Sequence, residues 1–439
     1  MTAGLEGVAA KARKETKLVF TSLAHHVTQE LIKDSLEHTP INSAVGIDGI
    51  DVSTARETFE QWIEMMETSI YRQSYHAPAV RRVWIPKPGK EEKRPIGVPC
   101  VADRALQRSV ATVLNAIYEQ DFLNCSFGGR PGRGQHNALV TINEIIGNKK
   151  VSWVFEADLK NFFGSLDHGW LLRFVEHRVG DPRILSLIRK WLKAGVLENG
   201  AYEESEVGTP QGGSISVLLS NLYLHYVLDL WFEKAIKPRL EGECYLVRYI
   251  DDFIVCFQHK RDADRFVEVL GKRLAKFALT LEPNKTRLIE FGRFAERNAK
   301  AKGKKPDTLY FLGFTHYCTT SRNGRFRVGR RTEKSRLKRS MNNLQNRIRE
   351  AMHWKVGVQI DRINRTLSGH YNYYGIGGNF QSLAKVYNLA VSYLKKMLSR
   401  RSQKGYVTWE LFGKIMEKYP ILRPYIKIPY TEFKAYVML

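Results

Sequence analysis

Cys244-Tyr245-Leu246-Val247-Arg248-Tyr249-Ile250-Asp251-Asp252-Phe253-Ile254-Val255-Cys256-Phe257 sets two adjacent carboxylates between two apolar runs. Both runs are rich in β-branched and aromatic residues, as strands are. The acidic pair is therefore expected at the tip of a hairpin. Side-by-side carboxylates repel each other and become useful when a divalent cation neutralises them, since hard cations take oxygen ligands. Asp-Asp is also a good turn dipeptide in its own right. The tetrapeptide alone leaves both readings open.

The other 425 positions narrow the choice. At 439 residues the chain has room for two or three domains and a substantial core. Its 43% hydrophobic and 26% charged content fits a folded chain and not a disordered one. Lys and Arg number 69 against 45 Asp and Glu, a formal net charge of +24. Such a surplus points to a polyanionic partner, because phosphate neutralisation supplies most non-specific nucleic-acid affinity. An anionic membrane surface would attract it too, yet no apolar run reaches spanning length. Residues 1–17 lack the apolar stretch of a signal peptide. The five cysteines, Cys100, Cys125, Cys244, Cys256 and Cys318, are odd in number and have no close pairs. That argues against a disulfide framework or a Cys-rich zinc site. The expectation is a cytosolic nucleic-acid-handling protein.

Along the chain, residues 15–75 read as helical, broken by Gly46-Ile47-Asp48-Gly49. Short strands start at Pro78, a helix covers 103–121, and a basic glycine-rich loop spans 127–134. Trp153-Val154-Phe155-Glu156-Ala157-Asp158 reads as a strand ending in an acid. Helices fill most of 169–195, 215–235 and 261–279. Residues 295–308 read as a polar, Lys-rich linker, and the chain beyond Arg325 as basic and mostly helical. The divisions expected are 1–76, 77–325 and 326–439.

Asp158 is the natural partner of Asp251 and Asp252. Carboxylate-held metal ions activate a primer hydroxyl and stabilise a pyrophosphate leaving group. Five positions on, Phe163 would wall off a sugar 2′ position by bulk, although Phe162 and Phe163 both suit an ordinary core. Asp167 suits a helix N-cap and is not counted with the acids. Gly208-Thr209-Pro210-Gln211-Gly212-Gly213-Ser214 is a side-chain-poor loop whose backbone can approach a ligand closely. Within it Gln211 offers both donor and acceptor. Lys87, Arg94 and Lys285 are the expected triphosphate cations, though any one of 69 basic residues is by default a solvated charge.

Tyr249-Ile250-Asp251-Asp252 matches the Tyr-x-Asp-Asp box of reverse transcriptases. Further blocks resemble the group II intron-encoded subfamily in order and spacing: Arg82-Val83-Trp84-Ile85-Pro86-Lys87-Pro88, Arg94-Pro95-Ile96-Gly97-Val98-Pro99, Ser126-Phe127-Gly128-Gly129-Arg130-Pro131-Gly132-Arg133, Gly208-Thr209-Pro210-Gln211-Gly212-Gly213 and Phe311-Leu312-Gly313-Phe314. The resemblance runs from about Gly46 to Gln403. It implies an α+β right-hand polymerase, with an N-terminal helical extension that contacts template RNA, fingers, a palm with an antiparallel sheet, and a helical thumb. It also implies that Asp158, Asp251 and Asp252, with the Leu159 carbonyl nearby, hold two Mg²⁺ ions, Mn²⁺ being the substitute. Lys87 and Arg94 would grip the triphosphate, Gln211 would line the incoming nucleotide, Phe163 matches the sugar gate, and Lys285 matches a palm lysine. Arg130 and Arg133, and a thumb helix carrying Arg330, Arg331, Lys334, Arg336, Lys338 and Arg339, are expected against nucleic acid. Tyr371, Tyr373 and Tyr374 read as core sooner than as stacking platforms. Partners implied are an RNA template, a DNA primer or template, and deoxynucleoside triphosphates, in a bacterial cytosol or nucleoid. A homodimer stays open.

Two departures from the subfamily stand out. The chain ends soon after the thumb-like region, with no Cys-paired endonuclease module. Ile250 stands where group II intron enzymes usually carry Ala, adding volume close to a primer terminus. On these two features the sequence favours a free-standing host enzyme that anneals and fills broken DNA ends. An intron-mobility enzyme, an antiviral defence enzyme and a catalytically silent RNA-binding maturase are the competing roles.

Overall fold

The computed structural model describes residues 3–86, 91–198, 200–204, 206–209, 212–321, 323–402 and 405–439. Lys87 and Gln211 lie outside these residues. The described strands, in chain order, are β1 (Val80–Pro86), β2 (Lys93–Val98), β3 (Trp153–Ala157), β4 (Val196–Glu198), β5 (Ala201–Glu203), β6 (Cys244–Tyr249), β7 (Asp252–Phe257), β8 (Arg287–Glu290), β9 (Thr308–Phe311), β10 (Phe314–Thr320) and β11 (Phe326–Thr332). They form three sheets, ordered β2-β1-β4-β5, β6-β7-β3-β8 and β11-β10-β9.

The β6-β7-β3-β8 sheet is antiparallel throughout. Its central strands are buried on both faces, which is why they read as continuous apolar runs. Side chains alternate across a strand, and the alternation divides two cores. Phe155, Phe253, Val255 and Phe257 join the larger core with the N-terminal helices and the helix Val101–Asp121. Val154, Val247, Ile254 and Cys256 join a second core with Leu309, Phe311, Phe314 and Val328 of the β9–β11 sheet. In register, Ala157 pairs with Phe253, so the next step along β3 sets Asp158 beside Asp252. Glu156 precedes it on the same face as Ile254 and the second core.

Three helices, Lys334–Glu350, Val356–Tyr374 and Phe380–Ser399, pack around a separate third core. The last residues return from this unit to the second core. There Ile428 and Phe433 are buried, and the Met438 amide donates to Thr141 Oγ1 at 3.1 Å.

Several sequence expectations are corrected. Arg330 and Arg331 lie on strand β11 and not on a helix. The exposure of alternate arginines there masks a strand pattern, and the helix begins only at Lys334. Position 325 falls within the β10–β11 hairpin, whose pairing runs Phe314↔Thr332 to Thr320↔Phe326. The segment expected as a linker contains the helix Ala295–Ala301, with Ala295 buried.

Candidate active site

Tyr249 and Asp252 pair at the mouth of the β6–β7 hairpin, leaving Ile250 and Asp251 as its two-residue turn. Ile250 has φ 58°, whereas Asp251 is not among the positive-φ residues. Positive φ at the first turn position alone matches a type II′ hairpin turn, usually served by Gly there. A β-branched residue in this region is strained. Neighbouring groups hold it. Gly128 lies so close that a Cβ there would stand 2.7 Å from Ile250 Cγ1 and 2.9 Å from the Ile250 amide. The glycine of the Ser126-Phe127-Gly128-Gly129 block is thus required by contact with the acidic turn.

The turn is tied down from beneath by Arg248, which is fully buried. Its guanidinium meets both carboxylate oxygens of Asp229, at 2.8 and 2.6 Å. It also donates to Asn221 Oδ1 (2.9 Å), to Ser126 Oγ (2.8 Å) and to the Ile250 carbonyl (3.0 Å). Burial alone would lower the Arg248 pKa; the Asp229 charge and its hydrogen bonds outweigh burial and raise it. Asn221 Nδ2 donates in turn to the Gly128 carbonyl at 2.7 Å. Asp229 reaches Arg248 from a π-helical turn, His225–Asp229, within the 216–236 helical stretch. Sequence reading missed Arg248, Asp229 and Asn221 altogether; an Arg immediately before the acidic box, inside an apolar strand, is the one signal that could have flagged them.

The three acids come together at the sheet edge, all half-buried, and Asp158 and Asp252 line a groove of about 1900 Å³. Burial and then repulsion by Asp158 raise Asp251 to about 6, despite opposing attraction by Lys285 and Arg94. Burial, Asp158, Asp251 and Glu156 together raise Asp252 well above the ordinary carboxylate range. Asp158 holds the Lys285 ammonium in an ion pair. The Glu282 amide donates to the Asp158 carbonyl at 2.8 Å, which brings the Pro283–Lys285 turn alongside. Leu159 is buried and bridges Leu281. Among the described residues, no three His, Cys, Asp or Glu side chains already converge on one point at metal-ligand spacing. The donor set nonetheless suits a hard cation, because among the described residues Lys285 is the one ammonium in contact with these acids, and burial and repulsion raise the pKa of Asp251 and Asp252.

Around the acids, the expected residues divide. Arg94, exposed on β2, lines the groove together with Lys285, Arg331, Lys334 and Lys338. Phe162 is buried, whereas Phe163 is partly open, and the Phe163 carbonyl accepts from the Thr209 amide at 2.7 Å. The two rings thus differ in burial, Phe162 belonging to the core and Phe163 packing against its edge. Asp167 caps its helix by accepting from the Trp170 amide. Arg130 is corrected: it is 5% exposed, paired with Glu119, bonded to the Leu123 and Ser126 carbonyls and stacked on Phe122. Arg133 likewise spends its guanidinium on Asn124 and the Ser126 carbonyl, so both arginines shape the loop that carries Gly128. Arg330 is also corrected. It is fully buried, donates to Asn143 Oδ1 and lies over the Phe433 ring, so it takes part in the groove lining only as a packed wall residue.

Comparison with known proteins follows the same lines. The family described as reverse transcriptase (RNA-dependent DNA polymerase) matches residues 85–316. The chain belongs to the reverse transcriptase family. It is 32% identical over 291 residues to the group II intron-encoded protein LtrA of Lactococcus lactis subsp. cremoris, covering 65% of this chain and 47% of that protein. It is 30% identical over 309 residues to protein YkfC of Escherichia coli strain K12, covering 66% and 79%. A 91 kDa protein in the cob intron of Schizosaccharomyces pombe is 37% identical over 171 residues, 39% and 21% of the two chains. The chain thus spans about half the length of LtrA. Group II-type relationship and an α+β polymerase fold agree with the antiparallel sheet and its acidic hairpin. Reverse transcriptases generally use divalent metal ions. No described helix is long and apolar enough to cross a membrane.

A pH test follows from the Asp251 environment. Its folded pKa of about 6 exceeds the ordinary 3.8, so its contribution is fully present below the unfolded value and lost as pH rises through 6. In chelator, Asp251→Asn should gain stability relative to the parent by about 1–3 kcal/mol between pH 4 and 7. Urea unfolding at the two pH values measures it; a pH-independent difference would contradict the assignment.

Proposed function

We propose that the chain is an RNA-directed DNA polymerase, also able to copy DNA, acting by two-metal nucleotidyl transfer. The observation that carries this reading is Asp158 set beside Asp252 by strand register, with Asp251 in the adjoining turn, at the rim of a groove lined by basic side chains. Asp158, Asp251, Asp252 and the Leu159 carbonyl would hold Mg²⁺, or Mn²⁺ in its place. When bound, such ions favour the ionised primer hydroxyl and stabilise charge on the departing pyrophosphate. The protein's own part is positional. Lys285 and Arg94 supply positive charge for the triphosphate, joined by Lys87 from outside the described residues, where Gln211 would line the incoming nucleotide. Phe163 stands at the loop after Gly208, where bulk disfavours a ribose 2′ hydroxyl. Arg331, Lys334 and Lys338 neutralise backbone phosphates of a primer–template duplex. Changing Asp251→Ala together with Asp252→Ala should abolish primer extension while leaving RNA binding intact. Persistent nucleotide incorporation would overturn the polymerase reading.

For the cellular role we propose repair of broken DNA by annealing short complementary ends and filling them in. Its support is Ile250, a strained β-branched residue packed against Gly128 at the position nearest the acids. Similarity to LtrA favours intron mobility as the second reading. Ile250→Ala should relieve crowding, lengthen extension products and weaken initiation from brief complementarities. Equal behaviour of both proteins in a primer-length series would refute the role given to Ile250.

A further inference from the structure

The helix Phe380–Ser399 lines the groove near its start, through Gln381, Ser382 and Lys385. Two heptads beyond Gln381, on nearly the same stripe and about 21 Å along the helix axis, comes Lys395. Lys395 is only 9% exposed. Its ammonium lies 5.0 Å from the Tyr406 ring centroid and 4.7 Å from that of Trp409, with no carboxylate among the described residues in ion-pair contact. The rings over it are the opposite of buried: Tyr406 is 73% and Trp409 62% exposed.

An ordinary core aromatic would hide its ring, and an ordinary surface lysine would extend into water. Here the cation is inside and the rings are outside. The Trp409 ring is also held in place. Trp409 opens the helix Trp409–Lys418, whose N-cap Thr408 accepts from the Leu411 amide at 3.2 Å, and it packs edge-on to buried Phe412 at 5.8 Å. The neighbourhood is basic: residues 395–418 carry seven Lys or Arg against Glu410 and Glu417, and Glu410 is already paired with Lys414. Exposed aromatic faces within a positive field are the ingredients by which proteins hold unpaired nucleotides.

We propose that Tyr406 and Trp409, backed by Lys395, form a stacking platform for unpaired nucleic acid, separate from the groove beside the acids. Bases of a single strand stack on the outer ring faces, and the surrounding lysines and arginines attract its phosphates. Because every base has a π-face, the platform is sequence-tolerant. It takes single strands in preference to duplex, whose bases are already stacked.

The inference concerns binding and not catalysis, so it is tested with the full chain carrying Asp251→Ala and Asp252→Ala, without nucleotides. Fluorescence anisotropy would follow 12-nucleotide single-stranded DNA and RNA probes, with saturating unlabelled blunt duplex occupying the groove. Adding Tyr406→Ala and Trp409→Ala should weaken single-strand affinity at least about tenfold, whereas Tyr406→Phe with Trp409→Phe should stay within about threefold because stacking is retained. An unchanged affinity in the alanine variant would overturn the proposal. So would a change of molecular mass in light scattering with oligonucleotide affinity unaltered, which would make the patch a contact between copies. Should the alanine variant unfold, 5-iodouracil photocrosslinking of the parent decides: adducts on Tyr406 or Trp409 support the platform, and adducts only elsewhere overturn it.

Discussion

One buried guanidinium holds this molecule's acidic turn in place. Arg248 sits in the apolar interior of the sheet with Asp229 as its counter-ion, a pair that by itself offers little net stability once desolvation is counted. Its value is what else it organises. The remaining donors reach Asn221, Ser126 and the Ile250 carbonyl, so one side chain joins the helical stretch behind the sheet, the glycine-rich loop beside it and the turn at its edge. Ile250 can persist at positive φ because these contacts over-determine it. The residues that resemble a nucleic-acid-binding loop, Arg130 and Arg133, serve the same end by shaping the segment that carries Gly128.

From that anchor the rest follows by register. Side-chain alternation sends Phe253, Val255 and Phe257 into one core and leaves Asp252 on the face that opens toward the groove. The strand pairing of β3 and β7 then brings Asp158 to the same edge. Three carboxylates so arranged are uncomfortable: burial and mutual repulsion raise Asp251 and Asp252, and Lys285 relieves part of the charge through Asp158. Repelling acids gathered at the edge of an open groove leave an electrostatic deficit of the kind that a hard cation relieves. The β9–β11 sheet and three-helix unit add basic side chains along the groove, matching the polyanion affinity that the net charge of +24 implies.

The hairpin, the strand ending at Asp158 and the long helix near 101–121 were legible because each has a clean period over enough residues. The site's acids were legible because they terminate such strands. What could not be read was which basic residues are buried. Arg248, Arg130 and Arg330 look like any of the 69 Lys and Arg until tertiary contacts supply Asp229, Glu119 and Asn143, and each of those partners is at least eleven positions away. Strand β11 was read as helix because Arg327, Arg330 and Arg331 obscure its alternation. Phe162 and Phe163 could be separated only once the helix turned one ring inward and left the other partly open.

The most direct test of the account is a double-mutant cycle on Arg248→Met and Asp229→Leu, reading urea stability and single-nucleotide addition on the same proteins. Each single change strands a buried charge and should cost about 3–5 kcal/mol. The double variant should recover most of that stability, yet add nucleotides far more slowly than the parent because the Ile250 carbonyl has lost its donor. Singles within about 0.5 kcal/mol of the parent, a difference typical of surface substitutions, would contradict the anchoring role, as would a double variant with the parent's rate of addition.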